Sequence, residues 1–358
     1  MTLRYALLPL SWLYGLIVGV RNRCYDKGLF SARSVGVPTV SVGNLSVGGT
    51  GKTPLVEYMA RVLVKEGKRV AVVTRGYRRS SQGLRIVSDG RRILSAPNES
   101  GDEPFQIAEN VPGAVVLVDE QRTRGAQHAA NQYGAEVILL DDGFQHRALA
   151  RDFDIVVLNA KERSSPLLPA GRMRESVSGL ARADVLVFSH CSGTDEVTRL
   201  GDQLRSYTDA PIFCTRFIVQ DVREVATGSS VEPEVLKNKS AAAFCGIGNP
   251  ESFRRTLLEL GVQVASFRRF SDHHRYSERD LVLVERDKER TKADWILTTQ
   301  KDAVRLRGRV TTQVVEKESE KGLGARCRIH YPVIKVQFVY GEEIFLRMLR
   351  GVVERKAS

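Results

Sequence analysis

The stretch Ser41–Pro54, SVGNLSVGGTGKTP, decides how the rest of the chain is read. Its core matches the phosphate-binding pattern G-x-x-x-x-G-K-[ST] except at the first position, where Ser46 replaces glycine. Val37–Gly43 (VPTVSVG) reads as a buried strand leading into it, and Thr53–Glu66 (TPLVEYMARVLVKE) as a helix leading out. That helix carries Leu55, Met59, Val62 and Leu63 at helical spacing, with Pro54 tolerated in its first turn. A strand, a glycine loop and a helix in this order let successive backbone N–H groups and the helix N-terminus surround phosphate oxygens. A glycine-rich turn with a chance Gly-Lys-Thr is the plain alternative, and the flanking elements disfavour it. The loop predicts nucleotide contacts from Ser46, Val47, Gly48, Gly49, Thr50, Gly51, Lys52 and Thr53. Lys52 would reach the β- and γ-phosphates of ATP, and the Thr53 hydroxyl would coordinate Mg²⁺.

Outward from this loop, short apolar runs recur at Val70–Thr74, Ala114–Val118, Val137–Leu140, Ile155–Leu158 and Val185–Phe188, several separated by helical stretches. The alternation predicts an α/β, P-loop NTPase-like, doubly wound and mostly parallel sheet. The run VILLDDGFQH (Val137–His146) puts Asp141 and Asp142 at the carboxyl end of a strand, where such sheets bind ligands, and these two are the predicted magnesium site. Near Pro211 the pattern changes. Ile212–Val219 and Tyr331–Tyr340 read as two antiparallel connecting strands, with a smaller strand-and-helix unit between them. The expected organisation is an apolar N-terminal helix over 1–30, a phosphate-loop domain over 31–211 completed by a helix in 341–358, linker strands at 212–222 and 330–340, and a second α/β domain over 223–329.

Composition narrows the setting. With 358 residues, 42% hydrophobic and 27% charged, the chain can bury two cores and is neither disordered nor fibrous. Cys24, Cys191, Cys214, Cys245 and Cys327 are widely spaced and odd in number, which argues against a disulfide framework or a zinc site and for a reducing compartment. The net charge of +12, concentrated in part over residues 68–92, calls for an anionic partner or is simply a solvated basic face. Tyr5–Val20 is uncharged between Arg4 and the pair Arg21 and Arg23, yet it is short for a span and is interrupted by Pro9, Gly15 and Gly19. It is expected to lie in the membrane interface, with Trp12 and Tyr14 as interfacial aromatics and the arginines toward anionic headgroups; a buried first helix is the bland alternative.

Eight motifs follow one another in a recognisable order: SVGNLSVGGTGKTP, TRGY (Thr74–Tyr77), GDEP (Gly101–Pro104), LLDDGFQH, PAGRMRE (Pro169–Glu175), FCGIGNPESF (Phe244–Phe253), FSDHHRYS (Phe270–Ser277) and TTQKDAVRL (Thr298–Leu306). Together they resemble the tetraacyldisaccharide 4'-kinases, the lipid A 4'-kinases of Gram-negative bacteria, whose loop also has serine at the position of Ser46. The resemblance implies transfer of the ATP γ-phosphate to the 4'-hydroxyl of a lipid-linked glucosamine disaccharide 1-phosphate, giving lipid IVA. It implies that Asp102 and His273 form the pair that deprotonates the hydroxyl, with Lys52 the catalytic lysine. Gln145 and His146 would neighbour the nucleotide or Mg²⁺. Arg75, Glu103, Arg122, Arg174 and Glu175 would face phosphate or sugar. Arg172 and Met173 depart from the family's usual Pro-Leu, and Gln300 stands where glutamate is usual. The setting implied is peripheral or monotopic on the cytoplasmic face of the inner membrane, against an anionic surface.

The rival readings are a P-loop ATPase or GTPase switch, a metallochaperone and a nucleic-acid-binding ATPase. Gln300-Lys301-Asp302 lacks the N/T-K-x-D spacing of guanine selection, and no paired metal-ligand set is present to hand on a metal. Nucleic acid is not expected as a partner, because Tyr77 is the one aromatic within the basic stretch and no recognised binding motif accompanies it.

Overall fold

Val70–Thr74, Val137–Asp141 and Thr39–Gly43 are buried at every position, as parallel strands covered on both faces require. In the computed structural model, which describes residues 6–160, 165–191, 193, 195–307 and 328–355, these runs lie side by side at the centre of one sheet. Arg4, Tyr5 and Cys327, and with them parts of the expected units 1–30, 223–329 and 341–358, lie outside the described residues.

The strands are β1 (Thr39–Gly43), β2 (Val70–Thr74), β3 (Arg85–Asp89), β4 (Val115–Val118), β5 (Val137–Asp141), β6 (Phe153–Asn159), β7 (Val185–Ser189), β8 (Ile212–Glu224), β9 (Ser230–Val231), β10 (Ser240–Cys245), β11 (Gln263–Arg269), β12 (Trp295–Leu297) and β13 (Ile329–Tyr340). Their spatial order is β11-β10-β12-β13-β8-β7-β6-β1-β5-β2-β4-β3, with β9 on β8. Pairings from β8 through β7, β6, β1, β5 and β2 to β4 are parallel, as are those joining β11, β10, β12 and β13. The long β8–β13 pair is antiparallel and joins the two parallel regions, and β3 is an antiparallel edge strand on β4. The α/β, mostly parallel reading of the sequence therefore holds. Strand β3 was not anticipated, because its central residues sit inside the basic stretch and make only a short edge strand.

The helices used below are α1 (Leu8–Asp26), α2 (Lys52–Lys65), α3 (Asp102–Asn110), α4 (Arg122–Tyr133), α5 (Asp195–Leu204), α6 (Pro250–Glu259), α7 (Glu278–Thr291), α8 (residues 300–307) and α9 (Glu342–Arg355). One core unites Val40, Val42, Leu55, Met59, Val72, Leu139 and Ile155 with Phe345 and Leu349 of α9, so the last helix packs on the phosphate-loop side. A separate core around Phe244, Tyr276, Ile296 and Leu306 supports the other end of the sheet.

Helix α1 runs six residues beyond the uncharged stretch, and Pro9 does not interrupt it because it falls in the first turn, where no intrahelical N–H is needed. Trp12, Leu13, Leu16, Ile17 and Val20 are exposed along one side of it. Tyr14 corrects one expectation: it turns inward and donates a hydrogen bond from its hydroxyl to the Arg174 carbonyl at 2.8 Å. Arg21 likewise donates inward, to the Gln145 carbonyl, so of the flanking arginines within the described residues only Arg23 is exposed.

Candidate active site

The loop between β1 and α2 is held by contacts on its outside. Asn44 donates to the Thr50 hydroxyl at 3.1 Å, and Gln145 donates to the Asn44 carbonyl at 2.8 Å. Ser46 forms an isolated antiparallel bridge with Met173, and the Val47 N–H donates to the Arg172 carbonyl at 2.8 Å. Extended pairing at Ser46 needs no glycine, which accounts for the departure from the loop pattern. Gly51 does need to be glycine: its φ is 91°, and a Cβ there would sit 2.3 Å from the Phe217 ring. Its left-handed conformation turns the chain into α2, whose first two residues are Lys52 and Thr53.

At the head of α2 the Thr53 hydroxyl donates to Asp141 Oδ2 at 3.2 Å, and Asp141 Oδ1 is buried with no hydrogen-bond partner. Burial, together with the charges of Glu103 and Asp142, pushes the Asp141 carboxyl up to about 7 against the pull of Lys52. A dry, unpartnered carboxylate oxygen next to a phosphate-loop threonine fits a divalent cation. Among the described residues no set of three or more His, Cys, Asp or Glu could hold a metal, so a cation here would share its coordination with phosphate and water. Asp142 is placed differently. Its backbone is left-handed, with φ at 58°, and its carboxylate lies 3.4 Å from Lys52 Nζ and 2.7 Å from Arg174. Burial raises the Asp142 carboxyl, but Lys52 and Arg174 outweigh it and hold it below the usual range.

Facing this set are residues from α3, from the loop after β11 and from α8. His273 Nδ1 lies 3.2 Å from Asp102 Oδ2, although the two are 171 positions apart. Arg305 donates to the same Asp102 oxygen at 2.7 Å, to the Gly246 carbonyl at 2.8 Å and to Asp302 at 2.9 Å. Burial pushes the Asp102 carboxyl up, but the His273 hydrogen bond and the Arg305 hydrogen bond and charge prevail and keep it below the ordinary carboxylate value. His273 Nδ1 also lies 3.3 Å from the Arg305 guanidinium, and the other ring nitrogen, Nε2, is 3.9 Å from the Asp272 carboxylate. His273 has φ at 60°, a strained backbone that the flanking contacts must maintain, and Tyr77 packs edge-on against its ring at 5.8 Å. Glu103 accepts from Lys301 at 2.5 Å; the Lys301 charge chiefly holds its carboxyl down, with Lys52 adding to that and Asp142 opposing. Glu103 therefore stands between the phosphate-loop group and the Asp102 group.

The remaining predicted residues divide in two. Arg122 lies within electrostatic reach of Arg75, Arg174 and Asp142; burial first, then the Arg75 charge, lowers the Arg122 pKa. Three guanidinium groups at one place suit an anionic ligand. His146 sits among arginines, and burial followed by the charge of Arg122 depresses it to about 4, so it is neutral near pH 7. Gln145 and Glu175 instead stand behind the loop. Glu175 is buried and accepts from Asn22 at 3.1 Å, Gln145 at 2.7 Å and Arg182 at 2.7 Å.

Sequence reasoning assigned no role to Arg305 or Lys301. Their i, i+4 spacing would put both on one face of a helix, and that was the available signal. It also missed Glu57, a charge on the buried face of α2, which accepts from Gln106 at 2.9 Å, Asn110 at 3.0 Å and Arg61 at 3.2 Å.

A loop built to cradle phosphate, set opposite a histidine and carboxylate able to take a proton from an alcohol, defines a P-loop phosphotransferase. Comparison with known proteins narrows the class. A family model described as Tetraacyldisaccharide-1-P 4'-kinase matches residues 3–349. The tetraacyldisaccharide 4'-kinase of Chlorobium luteolum is 41% identical over 98% of this chain and 98% of its own, and that of Syntrophotalea carbinolica is 41% identical over 84% and 82%. The crystal structure of LpxK from Aquifex aeolicus in complex with ATP superposes with a TM-score of 0.78 at 33% identity, covering 98% of this chain and 100% of that one. The chain belongs to the tetraacyldisaccharide-1-P 4'-kinase family.

Proposed function

We propose that this kinase moves the γ-phosphoryl group of ATP onto the 4'-hydroxyl of a tetraacyl glucosamine disaccharide 1-phosphate, giving lipid IVA, with Asp102 and His273 taking the hydroxyl proton. The observation that carries this reading is the contact of His273 with Asp102 beside the phosphate loop. A sugar hydroxyl is a poor nucleophile near pH 7, and a positioned base contributes about 10²–10⁴-fold. Arg305 keeps Asp102 ionised, and Asp102 keeps the imidazole oriented with one nitrogen toward the acceptor. The loop amides and Lys52 hold the triphosphate so that its terminal group meets the oxygen in line. Mg²⁺, held by Thr53 and Asp141, would neutralise charge on the phosphates when bound with ATP. Arg75, Arg122 and Arg174, with neutral His146 among them, bind the phosphate of the acceptor, Glu103 orients Lys301 between the two groups, and Gln145 and Glu175 brace the loop.

Residues 223–329 then form the unit that delivers His273 to the phosphate-loop unit of 31–211, with 212–222 and 330–340 as its two-stranded link. The outer face of α1 lies in the membrane interface, where Trp12 and its apolar neighbours meet acyl chains and Arg23 meets anionic headgroups. No described helix is long and apolar enough to cross a membrane. The surface on which α1 docks is the cytoplasmic face of the inner membrane, where ATP is supplied. The test is transfer to the disaccharide 1-phosphate by the wild type and by Asp102→Asn and His273→Gln. A fall of about two orders of magnitude in both variants supports the pair, and wild-type turnover in either removes that residue from it.

A further inference from the structure

The side of α1 opposite its apolar stripe is attached at its C-terminal end to Gln145 and Arg147, through Arg21, Asn22 and Asp26, and along the rest of its length to residues 167–175. Ser11 donates from its hydroxyl to the Leu167 carbonyl at 2.9 Å and accepts from the Ala170 N–H at 3.0 Å. Tyr14 donates to the Arg174 carbonyl, and Asn22 donates to Glu175. Gly15 makes room for the Leu167 side chain against the helix, since a Cβ there would lie 2.6 Å from Leu167 Cδ1. The glycine that weakens α1 as an isolated helix is the one that lets it dock.

Segment 167–175 in turn forms one side of the phosphate loop. The Arg174 N–H donates to the Leu45 carbonyl at 2.6 Å, the Val47 N–H donates to the Arg172 carbonyl, and the Arg172 guanidinium donates to the Val47 carbonyl at 2.8 Å. The Arg174 guanidinium holds both oxygens of Asp142, at 2.8 and 2.7 Å. Two hydrogen bonds therefore separate Tyr14 from the loop, and one residue, Arg174, joins Tyr14 to Asp142.

We propose that α1 is a wall of the nucleotide site as well as a docking helix: its inner face, through Ser11 and Tyr14, positions residues 167–175 and with them the phosphate loop and Asp142. Tyr14 and Ser11 are positioning residues, since they act through Arg174 and Leu167. The inference rests on reading residues 46–53 as the nucleotide loop. Its test uses nucleotide alone, so it fails or stands apart from the identity of the lipid acceptor.

The two faces predict two separable defects. Full-length Tyr14→Phe, which removes only the donated hydrogen bond, binds a fluorescent non-hydrolysable ATP analogue roughly threefold to tenfold more weakly in lipid-free solution. Ser11→Ala does the same, and both raise KM for ATP more than KM for the acceptor. Trp12→Ser and Leu16→Ser on the outer face keep wild-type affinity for the analogue and lose partition onto vesicles containing anionic lipid. Melting temperatures measured alongside separate a local change from a loss of folding. Wild-type analogue affinity in a folded Tyr14→Phe protein overturns the proposal, as does an equal loss of analogue affinity in Trp12→Ser.

Discussion

Replacing Arg305 by glutamine tests how the proposed base is kept ready. The guanidinium is nearly buried and donates to Asp102, to Asp302 and to the Gly246 carbonyl, so glutamine removes the cation shared by half-buried Asp102 and buried Asp302. A hydrogen bond between charged groups contributes about 1.5–3 kcal/mol, which as lost stabilisation of ionised Asp102 corresponds to roughly ten- to hundredfold in turnover. The sign follows from the native site, where His273 and Arg305 hold the Asp102 carboxyl low against its burial. Without Arg305 the carboxyl keeps its proton to higher pH, so the acid-side decline of kcat begins at higher pH than in the wild type. Initial rates of phosphoryl transfer over a mildly acidic to mildly alkaline series, at saturating ATP and acceptor, read this directly. Arg305→Lys restores the charge without the paired donors and falls between the two. An Arg305→Gln profile superimposable on the wild type would refute the assignment of Arg305 to Asp102.

Lys52→Ala removes the cation facing both Asp142 and the expected phosphates, and turnover falls by about two orders of magnitude or more while the protein still folds, measured by transfer rate and circular dichroism. Arg122→Ala raises KM for the disaccharide 1-phosphate by about tenfold and leaves KM for an acceptor lacking that phosphate nearly unchanged. Glu57 supplies a stability prediction. Its burial, opposed by Gln106 and Arg61, raises its pKa from 4.5 to about 7, so the folded chain keeps a proton that the unfolded chain has released. Its contribution is complete below pH 4.5 and declines as pH rises toward 7. Denaturant unfolding of Glu57→Gln across that window loses up to about 3 kcal/mol less than the wild type; equal slopes would contradict the buried charge.

The centre of the fold was legible because its physics is local. Uninterrupted apolar runs such as Val70–Thr74 admit little besides a buried parallel strand, and Gly51-Lys52-Thr53 between a strand and a helix admits few ligands besides phosphate. Asp141 was legible too, as an acid emerging from a buried strand. The Asp102 and His273 pairing was not: the residues are far apart in the chain, and an acid at a helix N-terminus or a histidine in a loop is commonplace. Their assignment came from the resemblance alone, and the antiparallel β8–β13 connection is what brings them into contact. Arg305 stayed hidden for the same reason, since its partners Asp102 and Gly246 belong to other elements. Tyr14 was misread because an aromatic in an apolar helix is ambiguous until the segment it touches is known.

The most direct test of the central claim follows the γ-phosphate itself. Full-length protein is incubated with γ-labelled ATP, Mg²⁺ and tetraacyldisaccharide 1-phosphate in mixed micelles, and the lipid is extracted and the labelled position determined. The account predicts label on the 4'-oxygen of the disaccharide, dependent on Mg²⁺ and lost with Lys52→Ala. Label recovered only as inorganic phosphate, or left on ATP with the lipid unchanged, would contradict it.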